Sequence, residues 1–566
     1  MNTQRRPPSL FTGALVGLVL TAPFIAALYV ADGLLGTPFV PFDVFDWLAR
    51  VLPGGLVTFG IDTIISIIVG LNLEDTSRTA KIAEHILALL LMLGIGALVG
   101  VVLFAVMRVR SLKNPGLLPG LAAGAILGAP AAVLSATLNL SASADPLVSI
   151  AWILLAFLGW GAAYSWTYNR LYSLTHPDEP AEIASTTLHE NISGNEQDTI
   201  YPVPTNNVSD RDRRRFLIRL GSATAAFTVV GAGLGTLLGA GDSEIESEAV
   251  LEHPWSGSHP LPNADAVLQP APGTRAEFTP VEKHYRVDIN SLPPVIREDS
   301  WTLQITGLVD KPLSLTLQDI RTKYTPLDQF ITLSCISNGV GGDLIGTQRW
   351  TGVPLKKIID SARPKANASQ LHITSADGFD EYVGRALVNT DERVMLTYDW
   401  DGLPLPKAHG YPLRLFIPDR YGMKQPKWIV RIELTDQEDE GYWVRRGWDP
   451  LAQVRATSVV DTVAKDATYQ KDGQTFVPVG GIAYAGKRGI SKVEVKVDDG
   501  EWQAADLRTP ISDLTWTIWR YDWPFQAGDH LFFVRTVDGR GAKQIETESD
   551  TRPSGATGID RKRASL

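Results

Sequence analysis

Four apolar runs, at about Leu10–Val30, Ile82–Met107, Leu117–Leu138 and Leu147–Trp166, dominate the first third of this chain, the first of them uninterrupted. Each reaches the ~20 residues a helix needs to cross a bilayer core. They do not alternate with polar residues, so they call for helices, which satisfy their own backbone hydrogen bonds inside hydrocarbon. The rest of the chain, from about Asp242, is mixed and soluble in character. That split explains a mean hydropathy near zero in a chain with 20% charged residues. Arg5 and Arg6 precede the first run and no small-residue cleavage pattern follows it, which reads as an anchor rather than a removed signal.

The stretch Pro41-Phe-Asp43-Val-Phe-Asp46-Trp-Leu-Ala-Arg50, followed by Leu56–Leu73, is ambiguous, with Pro53 and Asp62 inside it. Positive charge arbitrates, because cytoplasmic flanks collect Lys and Arg. If Leu56–Leu73 spans, Arg108, Arg110, Lys113 and the cluster Arg211–Arg215 fall outside. If it is re-entrant or interfacial, they join Arg5, Arg6 and Arg170 on the cytoplasmic side. The expectation is therefore a transmembrane module over 1–170 with an interfacial or re-entrant segment near 41–73. A polar cytoplasmic linker over 171–212 follows, then a transmembrane helix over 213–241. Its leading Arg213-Arg214-Arg215-Phe216-Leu217 reads as a basic flank and also resembles a twin-arginine export signal; either places the remainder outside the cytoplasm. Asp62, Glu84 and His85 read as interfacial anchors or as groups for proton or quinone chemistry. One histidine in this region is too few for a bis-histidine haem.

The soluble half opens with a Pro- and Gly-containing connector over 242–280. Short strands and helices then predict an α+β domain over 281–445. From about Val454 the pattern becomes strand after strand, as in Lys492-Val-Glu-Val-Lys-Val-Asp-Asp-Gly500, where Val493, Val495 and Val497 share one face. That predicts an immunoglobulin-like β-sandwich over 446–545 with Trp502, Trp516, Trp519 and Trp523 as its core and edge. Residues 546–566 read as a disordered tail. The net charge of −10 lacks the basic footprint of a nucleic-acid binder.

Cys335 is the single cysteine, which excludes a disulfide scaffold. It follows a strand-like run and opens the Gly-rich loop Cys335-Ile-Ser-Asn338-Gly-Val-Gly341-Gly342. On its own it is a buried small hydrophobe, a nucleophile, an acylation site or a single-thiolate metal ligand.

Cys335-Ile-Ser-Asn…Gly-Gly-Asp-Leu-Ile-Gly-Thr-Gln-Arg-Trp-Thr-Gly-Val-Pro-Leu355 resembles the molybdenum-cofactor domain of the sulfite oxidase family, which includes periplasmic methionine sulfoxide reductases. Two further motifs agree in order: Gly402-Leu-Pro-Leu-Pro-Lys-Ala-His409-Gly-Tyr-Pro412-Leu-Arg414 continuing to Lys424-Gln-Pro-Lys427-Trp428, and Gly441-Tyr-Trp443-Val-Arg-Arg446-Gly-Trp448. The resemblance implies Cys335 as the catalytic thiolate on molybdenum, beside a molybdopterin. It implies His409, Arg414, Gln425 and Lys427 on the pterin and its phosphate, Ser375 as a small hydroxyl on the cofactor, and His284, Tyr285 and Arg286 as the early cofactor motif. A soft thiolate suits the metal, and cations suit a phosphate. Sulfite oxidases carry arginines just after the metal cysteine where this chain has Asn338-Gly339-Val340, and a tyrosine where it has Trp448. Without that clamp an anion is poorly held, which favours a sulfoxide, N-oxide or similar small substrate over sulfite.

The reading is a multi-pass cell-membrane oxidoreductase performing oxo transfer on the extracytoplasmic side. Its partners would be the lipid bilayer, a small-molecule substrate and a quinone or cytochrome-type redox partner. A non-catalytic receptor or adhesion protein, binding through the sandwich, is the alternative.

Overall fold

The computed structural model describes residues 8–71, 75–109, 116–138, 144–175, 208–251 and 255–566. Contacts divide the chain into two units, Met1–Leu48 with His85–Ser243 and Ala49–Glu84 with Glu244–Leu566.

The described residues before Leu251 form seven helices: α1 (Leu10–Leu35), α2 (Val40–Val51), α3 (Gly54–Gly70), α4 (Thr76–Val109), α5 (Leu118–Leu138), α6 (Pro146–Thr175) and α7 (Val208–Leu251). Ser9 starts α1 by accepting the Thr12 N–H at 3.1 Å, and Gly36 ends it in the left-handed region with φ 62°. In the first unit, glycines spaced four apart share a helix face, and small residues let two backbones meet. A Cβ on Gly17 of α1 would stand 2.3 Å from the Gly96 carbonyl oxygen of α4, and one on Gly120 of α5 would stand 1.9 Å from that of Gly161 in α6. Among the described residues, five helices are long and apolar enough to cross a membrane: α1, α4, α5, α6 and, over Arg211–Leu234, α7. The ambiguous stretch 41–73 resolves into two helices, α2 and the apolar α3, which is shorter than those five.

The expectation for 213–241 needs extension, because α7 continues to Leu251. Glu244, Glu246, Glu248, Ala249 and Leu251 are strong helix formers, and no proline follows until Pro254, so nothing local stops the helix at the polar boundary. The connector thus begins later than read. From α8 (Trp255–Ser258) it lies against the rest of its unit: the Trp255 N–H donates to the Asp401 carbonyl at 2.7 Å, and Arg508 Nη1 donates to the Leu268 carbonyl at 2.6 Å. The linker read at 171–212 keeps α6 as far as Thr175 and meets α7 at Val208; the residues between lie outside the described ones.

In the second unit, β1 (Leu303–Gly307), β2 (Leu313–Leu315), α9 (Leu317–Lys323), β3 (Leu327–Ser334), β4 (Ile345–Pro354), α10 (Leu355–Ser361), β5 (Gln370–Ser375), β6 (Asp380–Gly384), α11 (Arg385–Thr390), β7 (Met395–Trp400), β8 (Leu403–Pro404), β9 (Arg414–Phe416) and β10 (Ile429–Thr435) follow in turn. They build two five-stranded sheets. One is ordered β2-β1-β10-β5-β6, with β1 parallel to β10. The other is ordered β3-β4-β7-β8, with β9 also on β7. Leu303, Ile305, Ile373 and Ile432 of the first sheet share one core with Val353, Leu396 and Leu415 of the second and Ile358 of α10, all fully buried. Thr316 and Asp319 form a reciprocal capping box that starts α9.

The C-terminal strands are β11 (Thr457–Val463), β12 (Tyr469–Lys471), β13 (Gln474–Tyr484), β14 (Ile490–Val497), β15 (Gln503–Ala504), β16 (Asp506–Leu507), β17 (Thr517–Pro524), β18 (Asp529–Asp538) and β19 (Asp560–Ser565). Two antiparallel sheets, β11-β13-β17-β16 and β15-β14-β18-β19, bury Val477, Val479, Trp519 and Trp523 of one against Val493, Val495, Phe532 and Val534 of the other. Trp502 stays at the edge beneath Arg535 and Lys496. The tail read as disordered contains β19. Arg561, Lys562 and Arg563 are exposed while its backbone pairs along β18 from Asp529↔Ser565 to Val534↔Asp560. An edge strand contributes hydrogen bonds without needing apolar side chains, so composition concealed it.

Candidate functional site

Strand β3 ends by delivering Cys335 into a loop closed by its own hydrogen bonds. The Cys335 N–H donates to the Leu344 carbonyl at 2.9 Å, and Asn338 Oδ1 accepts the Leu344 N–H at 2.9 Å. The thiol is buried, with Sγ 3.1 Å from the Ser337 hydroxyl. Burial pushes the thiol up, more than the hydrogen bond with Ser337 pulls it down. A metal must therefore displace its proton. Among the described residues no group of three or more His, Cys, Asp or Glu could hold a metal ion.

Beside it lies a packed cluster of aromatic rings and cations. Arg414 opens β9 and is 4% exposed, with its guanidinium 4.6 Å from the centre of the Trp350 ring and 5.8 Å from that of Trp400. Its Nη1 donates to the His409 carbonyl at 2.9 Å. The His409 ring lies 4.5 Å from Trp400 and 5.7 Å from His284. His284 packs against Gly346, where a Cβ would come within 2.7 Å of its ring. Gly410, at φ 116°, lets the chain turn between Arg414 and Lys427. Burial, reinforced by the nearby positive charge of Arg414, lowers His284 to about 3. Burial and the neighbouring His284 carry His409 well below its usual value. Both rings are neutral at ordinary pH.

Lys427 pairs with the buried carboxylate of Asp288, reaches the Ala408 carbonyl at 3.2 Å and lies over the Trp428 ring at 4.3 Å. Arg286 pairs with the same carboxylate. Burial would raise Asp288, but Arg286 and Lys427 hold it well below the usual carboxylate range; burial brings Lys427 down to about 8. Asp288 is a site residue that motif reading missed. Its signal is its place two residues after Arg286. Trp350 and Trp400, which frame Arg414, were missed as site residues as well.

The polar atoms left without partners reveal what this cluster is shaped for. His284 Nε2, Tyr285 Oη, Arg286 Nη2, Ser375 Oγ, Arg414 Nε and Gln425 Oε1 are all buried and unpaired within the protein, as are the indole nitrogens of Trp350 and Trp400. Each such group costs about 1–3 kcal/mol when nothing bonds it. A self-contained core would not concentrate them, whereas a polar, anionic, ring-bearing ligand would satisfy them. His284, Tyr285, Cys335, His409, Arg414 and Lys427 come together through shared packing and mutual electrostatics. Gln425 is brought in less directly, because its amide nitrogen is turned to the Arg420 carbonyl at 2.8 Å. Ser375 ends β5 beside Trp428, whose carbonyl accepts the neighbouring Ala376 N–H at 2.8 Å.

Residues 290–443 match the family described as oxidoreductase molybdopterin binding domain. The mitochondrial sulfite oxidase of Homo sapiens is 27% identical over 285 residues, 42% of this chain and 52% of that protein. Over this region the chain is similar to the sulfite oxidases and carries a molybdopterin-binding oxidoreductase domain. The NADPH nitrate reductase of Fusarium oxysporum is 25% identical over 308 residues, covering 46% of this chain and 34% of that protein. The chain thus spans about half the length of the sulfite oxidases it matches. The crystal structure of the sulfane dehydrogenase SoxCD from Paracoccus pantotrophus aligns with a TM-score of 0.44 at 22% identity, covering 53% of this chain and 86% of that one. The matched domain and these relatives imply a molybdenum–molybdopterin cofactor. A lone buried thiol beside unpaired donors and neutral imidazoles fits it. His284, Tyr285 and Arg286 lie just ahead of the matched residues.

Proposed function

We propose that this chain is a membrane-anchored, extracytoplasmic enzyme that transfers an oxo group to or from a small, weakly charged substrate. The cluster of unpaired buried polar atoms next to the single thiol carries this reading. The cofactor, when bound, supplies two-electron oxo transfer at molybdenum. Cys335 provides the soft thiolate ligand. Arg414, Lys427 and Arg286 balance the anionic part, while His284, His409, Ser375, Tyr285 and Gln425 pair with the polar edges and orient them. The buried rings of Trp350 and Trp400 exclude water, so these charge-assisted bonds act in a low dielectric.

The loop after Cys335 offers no cation, and the Asn338 amide oxygen is committed to the Leu344 N–H. This supports a sulfoxide, N-oxide or similar substrate. A second reading, an anionic substrate, is favoured by Arg552. Its guanidinium lies over the Trp448 ring at 4.6 Å, with a buried and unpartnered Nε.

Sidedness is supported by parity. With α1, α4, α5, α6 and α7 spanning and α3 not, residues between α1 and α4 fall on the same side as everything after α7. Ala49–Glu84 and Glu244–Leu566 do belong to one unit. The basic residues Arg108, Arg170 and Arg211–Arg215 then face the cytoplasm. A twin-arginine route at Arg213-Arg214 suits a domain exported with its cofactor in place. The 281–445 region is the catalytic domain and the two C-terminal sheets are an immunoglobulin-like sandwich. Trp519 and Trp523 are buried between these sheets, which supports their reading as core rather than as a ligand cage. Electrons pass to or from a quinone or cytochrome-type partner.

The test is metal and pterin analysis of the full chain made with cofactor synthesis intact, alongside Cys335→Ser. Wild type should carry both, and the variant should lose molybdenum and all turnover in a screen of sulfoxides, N-oxides, sulfite and nitrate. A wild-type chain without molybdenum overturns the reading.

A further inference from the structure

The residues that grip Lys427 and Arg286 are themselves held by cations from far upstream. Lys81, near the start of α4, directs its ammonium to the carbonyl of Asn290 at 2.8 Å and that of Asp288 at 3.4 Å, and pairs with Glu84 at 2.8 Å. Glu84 in turn accepts the hydroxyl of buried Ser291 at 3.0 Å. Arg50, at the end of α2, donates through Nη2 to Asn290 Oδ1 at 2.5 Å and to the Asp377 carbonyl at 2.7 Å. Its guanidinium lies so close to Gly378 that a Cβ there would stand 2.9 Å from Nη1. These contacts fall on two segments only. One is Asp288–Ser291, whose carboxylate holds Lys427 and Arg286; the other is the turn Ser375–Gly378, which starts with the unpartnered Ser375 hydroxyl.

Neither segment belongs to a strand beyond Ser375 itself, so the sheets do not position them. Carbonyls accepting from an ammonium or guanidinium form the stronger, charge-assisted kind of hydrogen bond. Lys81 also adds to the positive field that keeps Asp288 ionised. Removing Lys81 leaves two carbonyls without that donor and frees the backbone that aims Asp288. Both cations lie in Ala49–Glu84, the part of the N-terminal half that belongs to the same unit as the site.

We infer that Arg50 and Lys81 are positioning residues for the cofactor site: they clamp the 288–291 and 375–378 segments, so that retention of molybdopterin depends on residues of the N-terminal half. This rests on the molybdopterin reading above. Neither residue touches the reacting atoms.

The experiment uses the full chain with Lys81→Met, Arg50→Met and Lys81→Arg. The pterin retained after prolonged dialysis is measured, together with hydrogen exchange of the 288–291 amides. Each methionine variant should retain pterin about tenfold less well than wild type, the low end of the effect of outer partners on a bound metal. It should also lose protection at 288–291, while amides of β13 and β17 keep theirs. Lys81→Arg should restore both. Equal retention in wild type and both methionine variants overturns the inference. A wild-type chain that carries no pterin overturns instead the function on which it rests. Should Lys81→Met fail to accumulate, Lys81→Arg and Ser291→Ala are compared in the same assay. The inference requires weaker retention in Ser291→Ala, and equal retention overturns it.

Discussion

Arg414 carries more of the site than any other cation, because it is buried, flanked by two indoles and left with an unpaired Nε. Burial lowers its pKa to about 10, still high enough to keep its charge at neutral pH. Replacing it with Gln removes a charged donor, worth about 1.5–3 kcal/mol or roughly 10- to 100-fold in affinity. Arg414→Gln should therefore release molybdopterin on dilution in that range, read from pterin retained against wild type. The two buried imidazoles make a separate prediction. Folded His284 binds a proton only near pH 3, against 6.5 for an ordinary histidine. Between those values the unfolded chain holds protons that the folded one refuses, so stability rises with pH. The stability of cofactor-free protein should be complete above about pH 6.5 and fall steadily as pH drops toward 3. His284→Gln should flatten that slope in thermal unfolding followed across the range. Residue-scale legibility was uneven here. Cys335, His409, Arg414 and Lys427 stand in ordered local motifs, whereas Asp288 owes its role to a partner 139 positions away.

At the scale of elements, local chemistry set where most helices and strands begin. Ser9 and the Thr316–Asp319 box are examples, and the alternating valines of β14 are another. The extension of α7 and the existence of β19 escaped that reading. In one case nothing local stopped the helix, and in the other the strand is defined by its partner. β18 has Phe532 and Val534 fully buried, with β19 alongside it on the outer edge. Ending the chain after Gly558 should strip the edge from β18 and also remove Asp560, which accepts the Val460 N–H at 2.8 Å. Losing these bonds at about 1 kcal/mol each should lower the unfolding midpoint of the sandwich by several degrees in calorimetry. An unchanged midpoint would show β19 to be dispensable.

For the whole molecule, the proposed sidedness rests on the five helices long and apolar enough to cross a membrane and on the unit that joins Ala49–Glu84 to Glu244–Leu566. It makes a sided prediction. In a Cys335→Ser background, Asp62→Cys and Val267→Cys should react with an impermeant thiol reagent from the same face of sealed vesicles, and Ser173→Cys only from the other. Loss of labelling at Asp62→Cys from either face, with Val267→Cys still reactive, would mean that α3 spans. Within the second unit, Asp391 ties α11 to the sandwich through Lys487 at 2.9 Å, and neighbouring Arg393 reaches Asp513 at 2.6 Å.

The apolar runs, the lone cysteine and three ordered motifs were enough, without coordinates, to separate the apolar helical third from the mixed remainder and to point to a molybdopterin-binding oxidoreductase domain. Such signals are local: a run length, a loop, a spacing. Tertiary structure alone decided that α3 joins the unit that holds Cys335, that the tail closes a sheet, and that Arg50 and Lys81 reach segments 240 and 209 residues away. Those outcomes depend on which backbone groups remain unpaired once the core has formed, a property of the folded chain as a whole.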